Sequence, residues 1–336
     1  MPISPLRIQG SLVGLAVGDA LGYPAEFRTR RQLREELGPE GITGFIRLKD
    51  PRFSRPFFTG PDHPPGTFTD DTQMSLCVAE ALLEAGRADR DTLMRQMAEH
   101  FVQWHRSEDN NRAPGETTGI ACGRLASGVP WTEAGVAHSK GCGANMRVAP
   151  IGLYYEDLDT VAEVARDSSR LTHGHPAALE GSAAAALLVA LALQGAPPAR
   201  MHEEVMRRCG GRSPDFDACF SRVPALIELP PEQVLIDRER GPHALGEGWV
   251  AEEAVACALY CFWRHPDDYR AAVLEAVNTD GDSDSLATIT GSLSGARVGL
   301  EGIPPQWVAG VEQSARLLQL GERLADARLT SAPAVR

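Results

Sequence analysis

Two clusters of aspartates constrain the fold of this chain more than any other feature. One lies in residues 279–285, which read Thr-Asp-Gly-Asp-Ser-Asp-Ser, and the other in residues 68–72, which read Phe-Thr-Asp-Asp-Thr. Each cluster stands where a helix should begin, and there one or two acidic side chains suffice to cap free backbone N–H groups. Three close like charges repel one another unless a cation lies among them. Either cluster alone could be an over-acidic helix cap, but the two together indicate one site that folding assembles.

The side chains of the two clusters also indicate which metal would bind. Oxygen atoms of Asp, Ser and Thr, without His or Cys at metal-ligand spacing, suit Mg²⁺, Mn²⁺ or Ca²⁺, whereas zinc normally takes imidazole or thiolate ligands. The aspartates of the two clusters are numerous enough to hold a bridged pair of ions. We therefore expect a site for hard divalent cations.

The composition argues against several classes of protein. With 336 residues, of which 43% are hydrophobic, the chain can bury a large core. The formal net charge of −12 argues against broad nucleic-acid or anionic-membrane binding, because both need a basic surface. The first residues lack the basic start and apolar stretch of a secretory signal, and the seven cysteines, without a Cys-x-x-Cys pair, fit reduced thiols. We therefore expect a cytoplasmic protein with no membrane partner.

Helical periodicity dominates the chain, and we find no convincing strand pair. The predicted helices cover residues 12–21, 73–85, 92–104, 160–171, 179–193, 252–263, 269–277, 285–299 and 305–327. The apolar run at residues 183–193 is too short to span a bilayer and predicts a buried helix. Because the two acidic clusters must meet, we predict one all-α domain over residues 1–336, with a C-terminal tail from about residue 328.

Segments rich in proline and glycine separate these helices. Residues 38–66, 106–119 and 138–150 are predicted to form long ordered loops, which in a compact domain are usually functional. Residues 196–248 contain many prolines and a Gly-Gly pair, which predict short helices or a flap. Glycine, alanine and serine recur at turn spacing in residues 285–299, and this pattern predicts close packing between helix backbones.

A further carboxylate follows a helix of small residues near the N-terminus. The sequence from Gly14 to Gly22 reads Gly-Leu-Ala-Val-Gly-Asp-Ala-Leu-Gly, and Glu26 comes shortly after it. Glu26 could act as a general acid or base if folding carries it to the metal site. Without further context, an exposed loop glutamate is the simpler interpretation.

Five motifs together supply that context. They are Gly-Asp-Ala-Leu-Gly with the trailing Glu26, Phe-Thr-Asp-Asp-Thr, Lys-Gly-Cys-Gly-Ala-Asn-Met-Arg at residues 140–147, Leu-Thr-His-Gly-His-Pro at residues 171–176, and Gly-Asp-Ser-Asp-Ser at residues 281–285. In this order they resemble the ADP-ribosylglycohydrolase family, which includes the dinitrogenase-reductase-activating glycohydrolases and the vertebrate ADP-ribosylhydrolases. Each motif alone is weak evidence for this resemblance, but five motifs in the same order over about residues 8–320 are specific evidence.

The resemblance implies a fold, a reaction and a cofactor. The fold would be all-α, and the pocket would hold two Mg²⁺ or Mn²⁺ ions. The reaction would be hydrolysis of the bond between C1 of the terminal ribose of ADP-ribose and a modified group. Such a reaction passes through a transition state with oxocarbenium character, which a carboxylate-rich, metal-bearing pocket would favour.

The resemblance also implies roles for particular residues. The implied metal ligands are Thr69, Asp70, Asp71, Asp282, Asp284 and Ser285, and the implied catalytic residues are Glu26, Asp71 and Asp284. The implied substrate contacts are Gly115, Glu116 and Thr117 in one loop, Gly141, Cys142, Gly143, Asn145, Met146 and Arg147 in a second loop, and His173. The second loop would wrap the diphosphate and ribose, and its glycines suit close approach of backbone N–H groups to phosphate oxygens.

Two basic residues flank that second loop, and a second histidine follows the predicted substrate histidine. We expect Lys140 and Arg147 to bind phosphate or to support the loop. His175 stands immediately before a proline, and we expect it to stabilise a turn rather than to contact substrate.

Three further carboxylates, Glu116, Asp109 and Asp280, stand near these motifs in the sequence. In the loop at residues 108–118 we cannot assign a catalytic carboxylate, and Glu116 is a better candidate than Asp109. Asp280 stands where many members of the family have glycine. We therefore expect an extra negative charge beside the metals, which would alter their affinity.

The leading hypothesis is a Mg²⁺- or Mn²⁺-dependent hydrolase that removes ADP-ribose from arginine side chains of proteins, because residues 141–144 and 172–176 resemble arginine-specific members. The alternatives on the same scaffold are O-linked ADP-ribose, as on serine or in O-acetyl-ADP-ribose, and ADP-ribosylated nucleic acid. A catalytically silent relative that binds ADP-ribose or has a structural role is a different class. Retention of both acidic clusters argues against that class. We expect a monomer whose partner is an ADP-ribosylated protein or small molecule.

Overall fold

The computed structural model describes residues 3–54 and 60–330. Most of the predicted C-terminal tail and part of the predicted loop at residues 38–66 therefore lie outside the described residues. Across the described ranges the chain forms helices and loops without a strand. Two isolated bridges join Val136 to His173 and Gly141 to Val250. The all-α prediction is confirmed.

The helices follow one another along the chain with short connections. The α-helices are α1 (Pro5–Gly22), α2 (Arg30–Leu37), α3 (Asp70–Ala85), α4 (Arg90–His105), α5 (Glu116–Ala126), α6 (Trp131–Ala134), α7 (Ala149–Tyr154), α8 (Leu158–Arg170), α9 (Pro176–Leu193), α10 (Pro198–Cys209), α11 (Pro214–Phe220), α12 (Val223–Leu226), α13 (Pro231–Val234), α14 (Ala251–Arg264), α15 (Tyr269–Val277), α16 (Ser283–Val298), α17 (Pro305–Gly310) and α18 (Ser314–Thr330). Short 3₁₀ helices cover Tyr23–Ala25, Cys142–Ala144, Arg238–Arg240 and Leu300–Gly302. Residues 196–248 form short helices, as predicted.

One predicted helix, over residues 305–327, is wrong as a single element. α17 ends at Gly310 and α18 begins at Ser314. Between them Gln313 adopts the left-handed conformation with φ 54°. An α-helix cannot continue through such a residue, so the periodic pattern spans two helices rather than one.

Several short helices are missed by the periodicity. α2 has only Arg30 and Leu33 as buried residues, so its sequence carries almost no apolar stripe. It begins instead at a capping box in which Thr29 and Gln32 bond each other's backbone N–H groups. α5 begins within the predicted loop at residues 106–119, so that loop is shorter than predicted.

The centre of the molecule is α9. It is the one helix in the described part of the chain that is long and apolar enough to cross a bilayer, and 89% of it is buried inside the protein. Helices α7, α8, α10, α14 and α16 pack around it. The prediction of a buried helix at residues 183–193 is confirmed.

Helices α1 and α16 pack in direct backbone contact. Glycines recur on α1 at every fourth position, as Gly10, Gly14, Gly18 and Gly22. A Cβ atom on Gly18 would lie 2.0 Å from the carbonyl oxygen of Ala287, and one on Gly14 would lie 2.4 Å from that of Gly291. No side chain fits at these positions, so the two backbones touch.

The two helices run antiparallel, so the end of α1 meets the start of α16. A Cβ atom on Gly22 would lie 2.5 Å from the Cα atom of Asp284. The hydroxyl of Ser283 donates to the carbonyl oxygen of Gly22 at 2.9 Å, and the hydroxyl of Tyr269 donates to that of Gly14 at 2.7 Å. The second acidic cluster therefore has its position fixed by α1.

The first acidic cluster is fixed by α1 as well. The buried carboxylate of Asp19 accepts hydrogen bonds from the backbone N–H groups of Thr69 and Thr72, both at 2.9 Å. It also accepts from the hydroxyl of Thr72 at 2.5 Å. Asp19 thus caps the start of α3 from a neighbouring helix, and α1 brings the two clusters together.

The glycine contact predicts a strong effect of one methyl group. We expect Gly18→Ala to lower the free energy of unfolding by about 1–3 kcal/mol, because the new Cβ atom would overlap the backbone of α16. Chemical denaturation measures the change. The matched control is Gly119→Ala in α5, where a Cβ atom would meet no atom within 4 Å. That variant should keep or raise stability by up to about 1 kcal/mol, and equal losses in both variants would contradict the account.

Candidate active site

A pocket of about 330 Å³ lies where the end of α1 meets the starts of α3, α5 and α16. Its lining residues are Glu26, Phe27, Asp70, Asp71, Ala113, Pro114, Gly115, Glu116, Thr117, Thr118, Gly141, Cys142, Gly143, Met146, His173, Trp249, Asp282, Asp284 and Ser285. The two acidic clusters and the three predicted substrate segments therefore share one cavity.

Carboxylates from both clusters are buried in this pocket beside Glu26. The exposed fraction is 7% for Glu26, 3% for Asp71 and 4% for Asp284. Thr69 does not line the pocket, since its hydroxyl accepts the backbone N–H of Asp71 at 3.2 Å and caps α3. Its role as a metal ligand stays a prediction.

Burial and mutual repulsion dominate the electrostatics of the pocket. Burial raises the pKa of Glu26, Asp71 and Asp284 well above the ordinary value, and neighbouring carboxylates raise each of them further. Asp282 is among the groups that raise the pKa of Glu26 and of Asp70. The charges of the two clusters therefore act on each other directly, as the sequence predicts.

Two carboxylate oxygens of the pocket have no donor. Glu26 Oε2 and Asp71 Oδ2 are buried without a hydrogen-bond partner, and a buried ionised oxygen needs a donor or a cation. This donor set of hard oxygens fits Mg²⁺ or Mn²⁺. Within residues 3–54 and 60–330, however, no group of three or more His, Cys, Asp or Glu side chains has the geometry of a metal-binding site.

The loop around Gly141 and Gly143 forms the opposite wall. The thiol of Cys142 donates to Asp282 Oδ2 at 2.8 Å, and burial raises the pKa of that thiol well above its ordinary value. The backbone N–H of Cys142 donates to the carbonyl oxygen of Trp249 at 3.2 Å. The loop is thus held between α16 and the segment before α14, with its glycines facing the cavity.

Arg147 and Asn145 lie beneath this loop, and their predicted contact with substrate stays a prediction. Neither lines the pocket. The fully buried guanidinium of Arg147 donates to the carbonyl oxygens of Gly143 and Ser168 and to the hydroxyl of Thr172, at 3.1, 3.0 and 2.7 Å. The amide of Asn145 is likewise turned away from the cavity. Arg147 therefore supports the loop, which is one of its two expected roles.

Neighbouring polar side chains anchor the same loop from outside. The amide of Asn145 donates to the carbonyl oxygen of Ala251 at 2.9 Å. The ammonium of Lys140 pairs with Asp215 and Glu252 at 3.0 and 2.9 Å. Lys140 thus supports the loop as well, and the alternative of a phosphate contact is not needed to explain it.

The two histidines of the fourth motif have different roles. His173 lines the pocket and its Nδ1 atom lies 2.8 Å from the hydroxyl of Thr172. Burial, with a smaller effect of the Arg147 charge, lowers the pKa of His173 to about 3, so its imidazole is neutral at physiological pH. His175 Nδ1 accepts the backbone N–H of Ala177 at 3.1 Å and caps α9, which is the expected structural role.

Of the other predicted carboxylates, one lies at the rim of the pocket and two lie outside it. Glu116 lines the pocket from the first turn of α5 with an exposed carboxylate, whereas Asp109 is exposed outside it. Asp280 faces away, since it accepts the backbone N–H of Arg30 at 2.9 Å and pairs with Arg240 at 2.8 Å. This carboxylate is therefore paired outside the pocket, and its expected effect on metal affinity stays a prediction.

The sequence patterns assign no role to Asp19, Phe27 or Trp249. Asp19 stands inside the Gly-Asp-Ala-Leu-Gly motif, and the signal for its role is an aspartate within a buried helix of small residues. Phe27 and Trp249 form a stacked pair at the pocket, with ring centroids 5.2 Å apart and ring planes at 14°. The only signal for Trp249 is its place after the glycines at positions 246 and 248.

Buried carboxylates gathered in one pocket of a helical protein suit metal-assisted hydrolysis, and comparisons with known proteins give the family. The model of the ADP-ribosylglycohydrolase family matches residues 2–333. The chain therefore belongs to that family and is an ADP-ribosyl hydrolase. The resemblance found in the motifs is confirmed.

Individual relatives extend over the same length. The chain is 27% identical to the ADP-ribosylhydrolase ARH3 of Gallus gallus, over 96% of this chain and 92% of that protein. It is 28% identical to the ADP-ribosylarginine hydrolase Tri1 of Serratia proteamaculans, over 95% of this chain and 78% of that protein. A solved structure, described as an ADP-ribosylglycohydrolase-related protein complex, matches with a TM-score of 0.75 at 29% identity, over 96% of this chain and 98% of that chain.

The raised pKa values predict how pH changes metal-dependent stability. Burial raises the pKa of Asp19 from 3.8 to about 6, so its stabilising contribution falls as pH rises through that window. Burial also raises the pKa of Glu26 and Asp71. A divalent cation favours the ionised forms of these carboxylates, so the rise in melting temperature caused by Mg²⁺ or Mn²⁺ should grow as pH rises.

Thermal melts with chelator and with excess metal at each pH test this prediction. The lowered pKa of His173 acts in the opposite direction, but it acts in both samples and cancels in the difference. A metal-induced shift that stays constant or shrinks as pH rises would contradict the prediction.

Proposed function

We propose that this protein is a divalent-metal-dependent hydrolase that cleaves the ribosyl C1 bond of ADP-ribosylated substrates, with ADP-ribosyl-arginine on proteins as its main substrate. One observation carries the proposal. Two acidic clusters from distant parts of the sequence meet Glu26 in a single pocket, where two buried carboxylate oxygens have no donor. A protein with a purely structural role has no reason to bury repelling carboxylates together.

The residues that would hold the metal are those of the two clusters. They are Thr69, Asp70, Asp71, Asp282, Asp284 and Ser285. The family is generally metal-dependent, and the hard oxygen donors support one or two Mg²⁺ or Mn²⁺ ions. When bound, these ions would orient the ribose hydroxyls and lower the pKa of a water at the anomeric carbon.

Glu26 is the residue best suited to move a proton. Burial, together with the charges of Asp282 and Asp70, raises its pKa, which favours a side chain that can take up a proton and give it to a leaving group. His173 is neutral there and can only accept or donate a hydrogen bond. The glycines at positions 141 and 143 leave room for a diphosphate to approach the backbone.

The arginine linkage is supported by chemistry at the rim. A guanidinium leaving group is planar and cationic, and the exposed carboxylate of Glu116 can pair with it through charge-assisted hydrogen bonds. Serine offers no such partner. The relative named ADP-ribosylarginine hydrolase, at 28% identity, supports the same linkage.

The decisive assay measures release of ADP-ribose from arginine-linked, serine-linked and nucleic-acid-linked substrates, each with chelator, Mg²⁺ or Mn²⁺. We expect the arginine-linked substrate to be cleaved fastest and only with metal. A preference for serine-linked or nucleic-acid-linked substrates would overturn the arginine assignment. Full turnover after exhaustive chelation would overturn the metal assignment, and no release from any substrate would favour a silent relative.

Two substitutions should separate metal binding from proton transfer. We expect Asp284→Asn to weaken metal affinity and activity together, because it removes a charged ligand. Glu26→Gln keeps the size of the side chain but removes the proton-transferring group. It should lower kcat by about 10²- to 10⁴-fold while ADP-ribose affinity changes little.

Isothermal titration calorimetry measures the affinity of each variant for metal and for ADP-ribose. Thr72→Ser, which keeps the hydroxyl that bonds Asp19, is a matched control that should fold and turn over normally. Wild-type turnover in Glu26→Gln would remove Glu26 from the mechanism and make Glu116 the next residue to test.

A further inference from the structure

An exposed aromatic side chain lines the pocket. The side chain of Phe27 is 47% exposed, although phenylalanine is usually buried. It lines the same cavity as Glu26 and stacks on Trp249, with centroids 5.2 Å apart.

The backbone at Phe27 is in a conformation that few side chains adopt. Its φ is +64°, in the left-handed region, which is uncommon and unfavourable for bulky residues. Backbone hydrogen bonds hold the turn on both sides, from Glu26 N–H to the carbonyl oxygen of Gly22 at 3.1 Å and from Arg28 N–H to that of Ala25 at 3.0 Å. Strain that the surrounding structure maintains is typical of binding sites.

Hydrogen bonds also fix the position of Trp249. Its indole N–H donates to Glu247 Oε2 at 3.1 Å, and its carbonyl oxygen accepts the N–H of Cys142 at 3.2 Å. The neighbouring Gly248 has φ +89°. A Cβ atom there would lie 2.0 Å from the side chain of Leu286. The indole is therefore a fixed wall of the pocket.

Both rings belong to the carboxylate end of the pocket. Phe27 follows Glu26 directly in the chain, and the carbonyl oxygen of Glu247, two residues before Trp249, accepts the N–H of Asp282 at 2.8 Å. The bond to be cleaved must lie near Glu26 and the acidic clusters. A group bonded to the anomeric carbon therefore comes closer to these rings than the far end of the nucleotide does.

We propose that Phe27 and Trp249 form a binding site for the guanidinium of the arginine leaving group. This inference rests on the proposed function, because it names how the arginine side chain would be recognised. A guanidinium stacks on aromatic faces through cation–π attraction, and Arg is the cation most often found there. A serine hydroxyl has neither the charge nor the plane, so the pair selects for arginine linkages.

The test removes the aromatic faces and keeps the apolar volume. In Phe27→Leu and Trp249→Leu, we expect catalytic efficiency for ADP-ribosyl-arginine to fall by about 2- to 30-fold, the range of a cation–π contact. Phe27→Tyr keeps the aromatic face and should retain efficiency within about twofold. Ile120→Ala removes an apolar side chain of similar exposure, 46%, outside the pocket and should behave as wild type.

Binding measurements show which part of the substrate the rings contact. Methylguanidine, used as a product-like inhibitor, should lose affinity in both leucine variants, whereas free ADP-ribose should bind with unchanged affinity. Melting temperatures within a few degrees of wild type establish that the variants fold. If Phe27→Leu does not fold, Phe27→Tyr can be compared with Phe27→Asn instead. Asparagine tolerates the left-handed backbone but lacks an aromatic face, so this pair also tests the ring.

The outcomes separate this inference from the proposed function. If wild type cleaves the arginine linkage and the leucine variants match it, the inference is wrong and the proposed function stands. An equal loss of free ADP-ribose affinity would also overturn the inference, because the rings would then contact the nucleotide. If wild type does not cleave the arginine linkage, the arginine assignment fails whatever the variants show.

Discussion

The site depends on the backbone contact between α1 and α16. Because glycine recurs at every fourth position of α1, the two helices approach until the carbonyl oxygens of one meet the Cα atoms of the other. This contact sets the start of α16, and with it Asp282 and Asp284. The same helix carries Asp19, which caps α3 and sets Asp70 and Asp71. One helix without a side chain over much of its contact face therefore positions both halves of the pocket.

Close packing of this kind gathers negative charge in the pocket. The carboxylates are buried and raise one another's pKa values. The buried guanidinium of Arg147 makes its hydrogen bonds to the loop above it and to α8, not to the carboxylates. A divalent cation, which we propose for this pocket, would relieve the repulsion among these carboxylates.

Features of the fold and site that arise from local sequence patterns can be predicted from the sequence. Acidic clusters at helix starts, glycine at turn spacing and the apolar run of α9 can all be read along the chain. The direction of a side chain cannot, so the sequence leaves two roles open for Arg147 and does not show which way Asp280 points. Arg147 turns inward because it finds three acceptors there, and Asp280 turns outward because Arg240 and the start of α2 lie on that side. The stacked pair of Phe27 and Trp249 joins distant segments and has no pattern of its own.

The central claim is that packing of α1 on α16 joins two distant acidic clusters into one cation site. Anomalous diffraction from crystals soaked in Mn²⁺ tests it most directly. The account predicts density in the pocket whose nearest oxygens include carboxylates of both clusters, from Asp70 or Asp71 and from Asp282 or Asp284. Density bound to one cluster alone, or none in the pocket at saturating Mn²⁺, would contradict it.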